Sequence, residues 1–319
     1  MRQAIIRTCN SPQYDRGMSM SSCAFGERVQ QLPRLGLGIS TEYGAATAPG
    51  ALDILALRAA HTAYAGFLEV GVEVVKGLDD MAQCWVREGW PTTYHFLDVN
   101  LDEVEDFDTP WLQAVGEIAE HIQPAWMCGD AGLWHFGRRE RGHMLLLPPI
   151  LSREAARGQA EGVVRMRETF GYEVLPENPP GHVYLGDLHI LDFYAQVADF
   201  ADTGLLLDCA HLAIYQRLMG HEPLTALDGL PLDRVVELHV AGSTPHEHEG
   251  FTFWEDDHTP EVLAETWTIF DWLAPKLPNL KAIVFECERN PLHTVLAGFE
   301  RLAAALEDTV LALGAGRPS

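Results

Sequence analysis

The chain has 319 residues, a mass of 35.4 kDa, a formal charge of −24 and a pI near 4.8. This acidity argues against a nucleic-acid-binding surface, which needs clustered lysine and arginine. No stretch reaches the roughly 18 to 20 apolar residues of a membrane span, and residues 1–31 lack the apolar centre of a signal peptide. We therefore expect a cytoplasmic protein that binds neither nucleic acid nor membrane.

The chain begins with a polar segment that has no regular period. Residues 1–31 mix arginine, serine, cysteine, glycine and methionine, which is typical of a flexible N-terminal extension. The six cysteines include no CxxC pair, so reduced and mostly buried thiols are expected. Because α/β barrels of this size commonly form one domain, we expect residues 32–319 to be a single domain.

Regular alternation of strand and helix patterns follows from residue 35 onward. The predicted strands are 35–39, 66–75, 93–99, 125–129, 172–176, 204–208, 235–240 and 282–287. The predicted helices are 51–64, 79–88, 111–123, 152–170, 190–201, 210–219, 260–273 and 291–313. Because strands that alternate with helices pair in parallel, eight such units predict a TIM-like (β/α)8 barrel of the α/β class.

An open, doubly wound sheet is the structural alternative. Its nucleotide-binding fingerprint has three glycines that lead into a helix. The run Leu35-Gly36-Leu37-Gly38 lacks both the third glycine and the helix, so the barrel is favoured.

Polar residues recur at the ends of the predicted strands, where the carboxyl ends of barrel strands form one mouth. The candidates are His95, Asp130, Glu177 with Asn178, Asp208 with His211, Glu237 with His239, and Glu286, together with Asp256 and His258 after a loop rich in histidines and carboxylates. Each has a simpler interpretation as a core histidine, helix cap, turn or salt-bridged rim. Their coincidence at one end favours a metal site, and mixed nitrogen and oxygen donors favour iron, manganese or zinc over an iron–sulfur cluster.

Several sequence blocks, in this order, resemble one known family. The blocks are Leu35-Gly36-Leu37-Gly38, Phe67-Leu68-Glu69, Tyr94-His95, Glu177-Asn178-Pro179, Gly204 to Asp208, Glu237-Leu238-His239-Val240-Ala241-Gly242 and Asp256-Asp257-His258. Together they span roughly residues 35–291. This pattern resembles the multinuclear non-haem iron-dependent oxidative enzymes, which include the peptide-modifying enzymes of the methanobactin and thiaglutamate pathways.

The resemblance implies a TIM-like barrel that uses O2 as co-substrate. It implies metal binding by His95, Asp130, Asn178, Asp208, His211, His239, Asp256 and His258, which hold two or three iron ions. It also implies a precursor peptide or a related small thiol as substrate, modified commonly at cysteine, and a small partner protein that delivers the peptide. For proton transfer or support of the ligands we expect Glu286 and Glu73.

The chain departs from the family pattern at three positions. Gly71 stands where the family usually has histidine, and Ser243 stands where the block usually ends in histidine. Asp130-Ala131 replaces a Glu-His pair, with His135 nearby as a substitute. We therefore expect two iron ions and leave a third site open.

Two other functions share this set of polar residues. One is a divalent-metal barrel of the sugar isomerase or endonuclease type, an isomerase or hydrolase that uses zinc, manganese or magnesium. The other is a catalytically degenerate barrel that binds a peptide, which the missing histidine at Gly71 suggests. Metal identity and oxygen dependence distinguish the three.

Overall fold

Eight parallel strands close into a barrel, as the sequence predicts. A computed structural model describes residues 23–137, 141 and 145–315. The barrel strands are β1 (Gly36–Thr41), β2 (Leu68–Val72), β3 (Thr92–Phe96), β4 (Met127–Asp130), β5 (Val174–Glu177), β6 (Leu205–Asp208), β7 (Val235–Ala241) and β10 (Ala282–Glu286). Neighbours in the chain are neighbours in the barrel, and β1 pairs with β10 to close it. This closure excludes the open sheet.

Helices on the outside of the barrel connect the strands. They are α2 (Ile54–Ala60), α3 (Asp80–Arg87), α4 (Thr109–Ile122), α5 (Arg153–Phe170), α6 (Ile190–Ala201), α7 (Cys209–Met219), α8 (Ala264–Leu273) and α9 (Leu292–Ala315). Each predicted helix is present, and five begin after an aspartate or serine whose side chain accepts a hydrogen bond from the first turn: Asp53, Asp79, Asp108, Ser152 and Asp208. Within the described part of the chain, no helix has the length and apolar character needed to cross a membrane.

A short helix, α1 (Phe25–Gln31), closes the end of the barrel at which the strands begin. Phe25 and Val29 are buried with side chains of the barrel interior. The Arg28 guanidinium donates to the carboxylate of Glu173, at 2.7 Å and 3.1 Å, and both side chains are buried. The prediction of a flexible segment through residue 31 is therefore wrong for α1, because contacts distant in sequence fix it.

The other boundaries of that prediction have no structural test. Residues 1–22 lie outside the described residues. The assignment of residues 32–319 to a single domain stays a prediction.

An antiparallel hairpin follows β7 on the side of the barrel where the strands end. It consists of β8 (Thr244–His248) and β9 (Phe251–Glu255). The sequence analysis did not predict it as a sheet. The hairpin returns the chain to the mouth at Asp256, immediately after β9.

The inside of the barrel changes from apolar to polar along its axis. Side chains near the strand starts, such as Trp126, Leu206 and Val236, form an apolar cluster with α1. Toward the strand ends the inward positions carry carboxylates and imidazoles instead. TIM barrels place chemistry at this end, so the polar residues at the mouth define the candidate site.

Candidate metal centre at the barrel mouth

Six neighbouring strands each contribute one acidic or histidine side chain to the barrel mouth. They are His95 on β3, Asp130 on β4, Glu177 on β5, Asp208 on β6, His239 on β7 and Glu286 on β10, and all are at least 90% buried. The register sets Asp130 beside Glu177 and Asp208 beside His239. Parallel pairing of strand ends therefore brings together residues that are up to 191 positions apart in sequence.

Glu177 lies at the centre of this ring. Its Oε2 is 2.9 Å from His95 Nε2, and its Oε1 is 3.4 Å from His239 Nδ1 and 3.6 Å from His211 Nδ1. The side chain is 1% exposed. The residues alone left Glu177 and Asn178 open as a pair, and the family resemblance implied Asn178.

Asn178 has a different role in the structure. Its Nδ2 donates to the backbone oxygen of Asp208 at 3.0 Å, and its Oδ1 accepts from the backbone N–H of Asp208 at 2.9 Å. The amide thus ties the end of β5 to the end of β6. Both polar atoms of the Asn178 side chain are thus engaged, and Glu177 joins the candidate ligand set, while metal binding by Asn178 stays a prediction.

Helix α7 and the loop after β9 complete the ring. Asp208 caps α7 by accepting from the backbone N–H of His211, which holds the His211 ring over the mouth. His211 Nε2 lies 2.9 Å from Asp256 Oδ2, and His258 Nε2 lies 3.4 Å from the same oxygen. The predicted residues of the two segments therefore meet.

Glu288, which the sequence analysis did not select, supports His258 from behind. Its Oε1 lies 2.9 Å from His258 Nδ1, and its Oε2 accepts a hydrogen bond from Ser40 at 3.1 Å. A carboxylate on the far nitrogen of a histidine fixes the ring orientation. The signal for Glu288 was its two-residue spacing from Glu286.

A second layer of carboxylates lies deeper in the barrel, beneath His95 and His239. Glu69 Oε1 is 3.0 Å from His239 Nε2, while its Oε2 accepts from the Cys128 thiol at 3.0 Å. Glu237 accepts from the Trp126 indole at 2.7 Å, and burial, reinforced by the nearby charge of Glu69, raises its pKa to about 8. As alternation along β7 predicted, Glu237 and His239 both face the interior.

The charges in this centre are strongly coupled. Burial opposes protonation of His95, but the charge of Glu69 and the hydrogen bond to Glu177 outweigh it and raise the pKa of His95 to about 9. Burial raises the pKa of Asp208 to about 7, although nearby His211 counteracts the rise. For Glu177, burial is outweighed by His239 and His95, which hold its pKa well below the ordinary value. Against the opposing effect of burial, nearby carboxylates likewise raise the pKa values of His211, His239 and His258.

The donor set fits metal ions. The mouth and the layer beneath it contain eight carboxylates but four histidines: Glu69, Asp130, Glu177, Asp208, Glu237, Asp256, Glu286 and Glu288, with His95, His211, His239 and His258. Within the described residues, buried atoms that lack a hydrogen-bond partner include Asp130 Oδ1, Glu177 Oε1 and Asp208 Oδ2. Bound cations would compensate these carboxylates in place of protons, and the unpartnered oxygens are free to bind them.

Three overlapping groups at the mouth have the spacing of metal ligands. They are His95 with Asp130 and Glu177, Glu177 with Asp208 and His211, and Asp208 with His239 and Glu286, each with ligand atoms within 4.8 Å of one another. Glu177 and Asp208 each belong to two of the groups. Shared carboxylates are what a centre with more than one ion requires.

Two predicted residues lie apart from these groups. Glu73, just after β2, forms an ion pair with Lys76 and is in none of the groups. His135 lies 2.9 Å from Asp106 and 2.9 Å from the backbone oxygen of Gly137, so it does not substitute for the missing family histidine. At Gly71 a Cβ atom would lie 2.8 Å from the backbone oxygen of Thr41, so a side chain there needs a local shift.

Known proteins resemble this chain over most of its length. Residues 52–307 match the family model described as RiPP precursor modification enzyme MbnB/TglH/ChrH. A UPF0276 protein of Anaeromyxobacter sp. (strain Fw109-5) is 27% identical over 71% of this chain and 79% of its own length. A UPF0276 protein of Vibrio parahaemolyticus is 25% identical over 73% of this chain and 81% of its own length.

Solved structures with the same fold are more distant. A xylose isomerase-like TIM barrel protein from Mycobacterium smegmatis, in complex with magnesium, has a TM-score of 0.55 and 10% identity over 88% of this chain and 99% of its own. Endonuclease IV from Thermus thermophilus has a TM-score of 0.50 and 16% identity over 86% of this chain and 99% of its own. At these identities the likeness concerns the fold alone.

Proposed function

Because this chain belongs to the MbnB/TglH/ChrH family of RiPP precursor modification enzymes, we propose that it oxidises a cysteine residue of a ribosomally made peptide, or a related small thiol. The family implies a peptide substrate. We further propose that the oxidant is O2, that the metal is iron, and that a small partner protein delivers the peptide.

The observation that carries the proposal is the ring of shared, buried donors around Glu177. Imidazole and carboxylate donors without clustered thiolates suit ions of iron, manganese or zinc rather than an iron–sulfur cluster. Among these metals, the family resemblance implies iron. His95, Asp130 and Glu177 would hold one ion, and Glu177, Asp208 and His211 would hold another. His239, Asp256 and His258 complete the proposed ligand set. When bound, iron supplies redox chemistry and open positions for O2 and a substrate thiolate.

The protein side chains have three tasks in this proposal. Glu288 and Glu69 orient His258 and His239 through their ring nitrogens. Asn178 holds the strand ends in register. Glu286, whose Oε2 is buried without a hydrogen-bond partner, accepts a proton from the substrate at that oxygen.

Glu73 is the weaker of the two residues proposed for proton transfer. Its carboxylate pairs with Lys76 and lies outside the three ligand groups. We therefore assign proton transfer to Glu286 and an ion-pairing role to Glu73.

Mass spectrometry of a substrate tests the function. The probes are a synthetic cysteine-containing peptide and free cysteine, each incubated with iron-loaded protein in air and under argon. The proposal predicts a mass change in air alone. A zinc-loaded protein that transforms substrate equally well under argon would support the isomerase or hydrolase alternative, and freshly isolated protein without any transition metal would support the degenerate barrel.

A further inference from the structure

One face of the hairpin formed by β8 and β9 is aromatic. Directly opposed residues of an antiparallel pair share a face, so Phe251 and Phe253 lie on the same side as His246, His248 and Glu255. The other face, with Trp254, packs over Arg217 of α7 at 4.6 Å. One face of the hairpin is therefore anchored to the barrel, and the aromatic face is available.

The aromatic face continues into the loop after β5. The His182 ring meets the Phe253 ring edge-on at 4.6 Å, and its Nε2 is 3.6 Å from Glu255 Oε2. Val183 and Leu185, on the same loop, are 65% and 62% exposed. The hairpin and this loop thus form one surface.

The loop after β4 extends the surface further. The backbone N–H of Leu151 donates to the oxygen of Leu185 at 2.7 Å, which sets the two loops side by side. Ile150, next to this bond, is 60% exposed. We call the series Phe251, Phe253, Val183, Leu185 and Ile150 the apolar strip. Exposed apolar residues that adjoin one another in this way mark interaction sites more often than scattered ones do.

The charge at the hairpin end of the strip is negative. Glu249, in the hairpin turn, and Glu255, on the aromatic face, are exposed, whereas Glu247 lies on the opposite face with Trp254. The nearby Arg217 pairs with Glu265 at 2.6 Å, so it does not neutralise them. A phenyl ring beside a carboxylate favours a cationic side chain, because the ring face attracts cations and the carboxylate pairs with them.

The strip also leads directly to the metal centre. Glu255 is followed by Asp256, whose Oδ2 contacts His211 and His258. A chain in contact with Phe253 is therefore a few residues of extended peptide from the mouth, at about 3.3 Å per residue. Position, apolar exposure and charge point to the same occupant.

We propose that the apolar strip binds an extended segment of the substrate peptide that combines apolar with basic side chains. This inference rests on the proposed function for the identity of the occupant. Apolar side chains of the peptide pack on the strip, and a lysine or arginine pairs with the exposed carboxylates at its hairpin end. The reacting residue then enters the mouth beyond Asp256.

Fluorescence anisotropy with two synthetic octapeptides tests the inference. One alternates phenylalanine with lysine and the other alternates phenylalanine with glutamate. The whole chain has a charge of −24, which attracts any basic peptide, so the decisive comparison is between variants of equal charge. The double variant F251S/F253S should weaken binding of the lysine peptide by about tenfold, as loss of buried aromatic anchors does.

The matched control is Met219→Ser, an exposed apolar residue at the far end of α7, which should leave binding unchanged. Val183→Ser, on the other loop, gives a second measurement that does not depend on the hairpin's folding and should weaken binding about threefold. Unchanged binding in both strip variants, or equal loss in Met219→Ser, overturns the proposal. The readout involves no oxidation. Peptide binding to the strip can therefore be confirmed even if the oxidase function fails, and the oxidase function can be confirmed even if the strip does not bind the peptide.

Discussion

Replacement of Glu177 by glutamine is the most informative single change to the metal centre. The carboxylate is 1% exposed and lies between 2.9 and 3.6 Å from three histidine nitrogens. It belongs to two of the ligand groups at the mouth. We therefore expect Glu177→Gln to lose both ions, whereas Asp130→Asn, in one group, should lose one.

The size of the effect follows from the charge that is lost. A carboxylate and a unit positive charge about 3 Å apart attract by roughly 5 to 6 kcal/mol at an effective dielectric constant near 20. If half of this is lost with the charge of Glu177, metal affinity falls about a hundredfold. Retained hydrogen bonding by the glutamine amide keeps the variant folded, so the loss should appear in binding before it appears in stability.

Elemental analysis after dialysis against a fixed concentration of chelator measures this effect. The matched control is Glu73→Gln, a buried carboxylate at the mouth outside the ligand groups, which should keep the metal content of the unaltered chain. If Glu177→Gln retains two ions with unchanged affinity, Glu177 is not a shared ligand and the assignment is refuted.

Three further predictions concern pH, the closed end of the barrel and the turn before the hairpin. The pKa of His95 is raised to about 9 in the metal-free protein, so a proton on His95 competes with the metal. Between pH 7 and 9 the metal affinity should therefore rise by about tenfold per pH unit for each proton displaced, and the contribution of His95 should level off above pH 9. Metal titration in several buffers measures this. Arg28→Ala leaves the Glu173 carboxylate buried without its cation and should lower the free energy of unfolding by about 3 to 5 kcal/mol in urea denaturation. Gly242→Ala places a Cβ atom 1.9 Å from the backbone oxygen of Thr259, which adjoins His258, and should cost about 1 to 3 kcal/mol in the same assay with reduced metal content.

Each of these has a control or a contradicting result. Metal affinity that is independent of pH between 7 and 9 would contradict the competition with protons at His95. The exposed pair of Arg301 and Asp271 is the control for Arg28, because Arg301→Ala should change unfolding by less than about 1 kcal/mol. Gly116→Ala, where a Cβ atom meets nothing within 4 Å, is the control for Gly242.

The barrel was predictable from sequence because its signals are local. Each strand and helix carries its own apolar period, and the alternation of the two fixes parallel pairing. The strand-end positions of His95, Asp208 and His239 followed from the same patterns. Their convergence is a consequence of closure, which the structure confirms.

The choice between Glu177 and Asn178 needed more than a local pattern. Adjacent strand residues face opposite sides, so an error of one position in register exchanges them. The backbone of Asp208, on the next strand, decides where the Asn178 amide is used. Glu69 and Glu288 were missed for a related reason. Glu69 contacts His239 and Glu288 contacts His258, and each histidine is more than 29 positions away in the chain.

Helix α1 and the hairpin show two other limits. Arg28 pairs with Glu173, 145 residues later in the chain, and no local feature of residues 25–31 indicates that contact. The hairpin residues alternate histidine and phenylalanine with charged side chains, a pattern also typical of a solvated loop. Its packing of Trp254 on Arg217 is a tertiary contact.

Oxygen uptake by matched iron-loaded and zinc-loaded protein tests the central claim most directly. Both samples are prepared from the same metal-free chain and mixed with the same synthetic cysteine-containing peptide. The account predicts O2 consumption that increases with iron content and is absent from the zinc sample. Turnover of the peptide by the zinc sample without O2 consumption would contradict it.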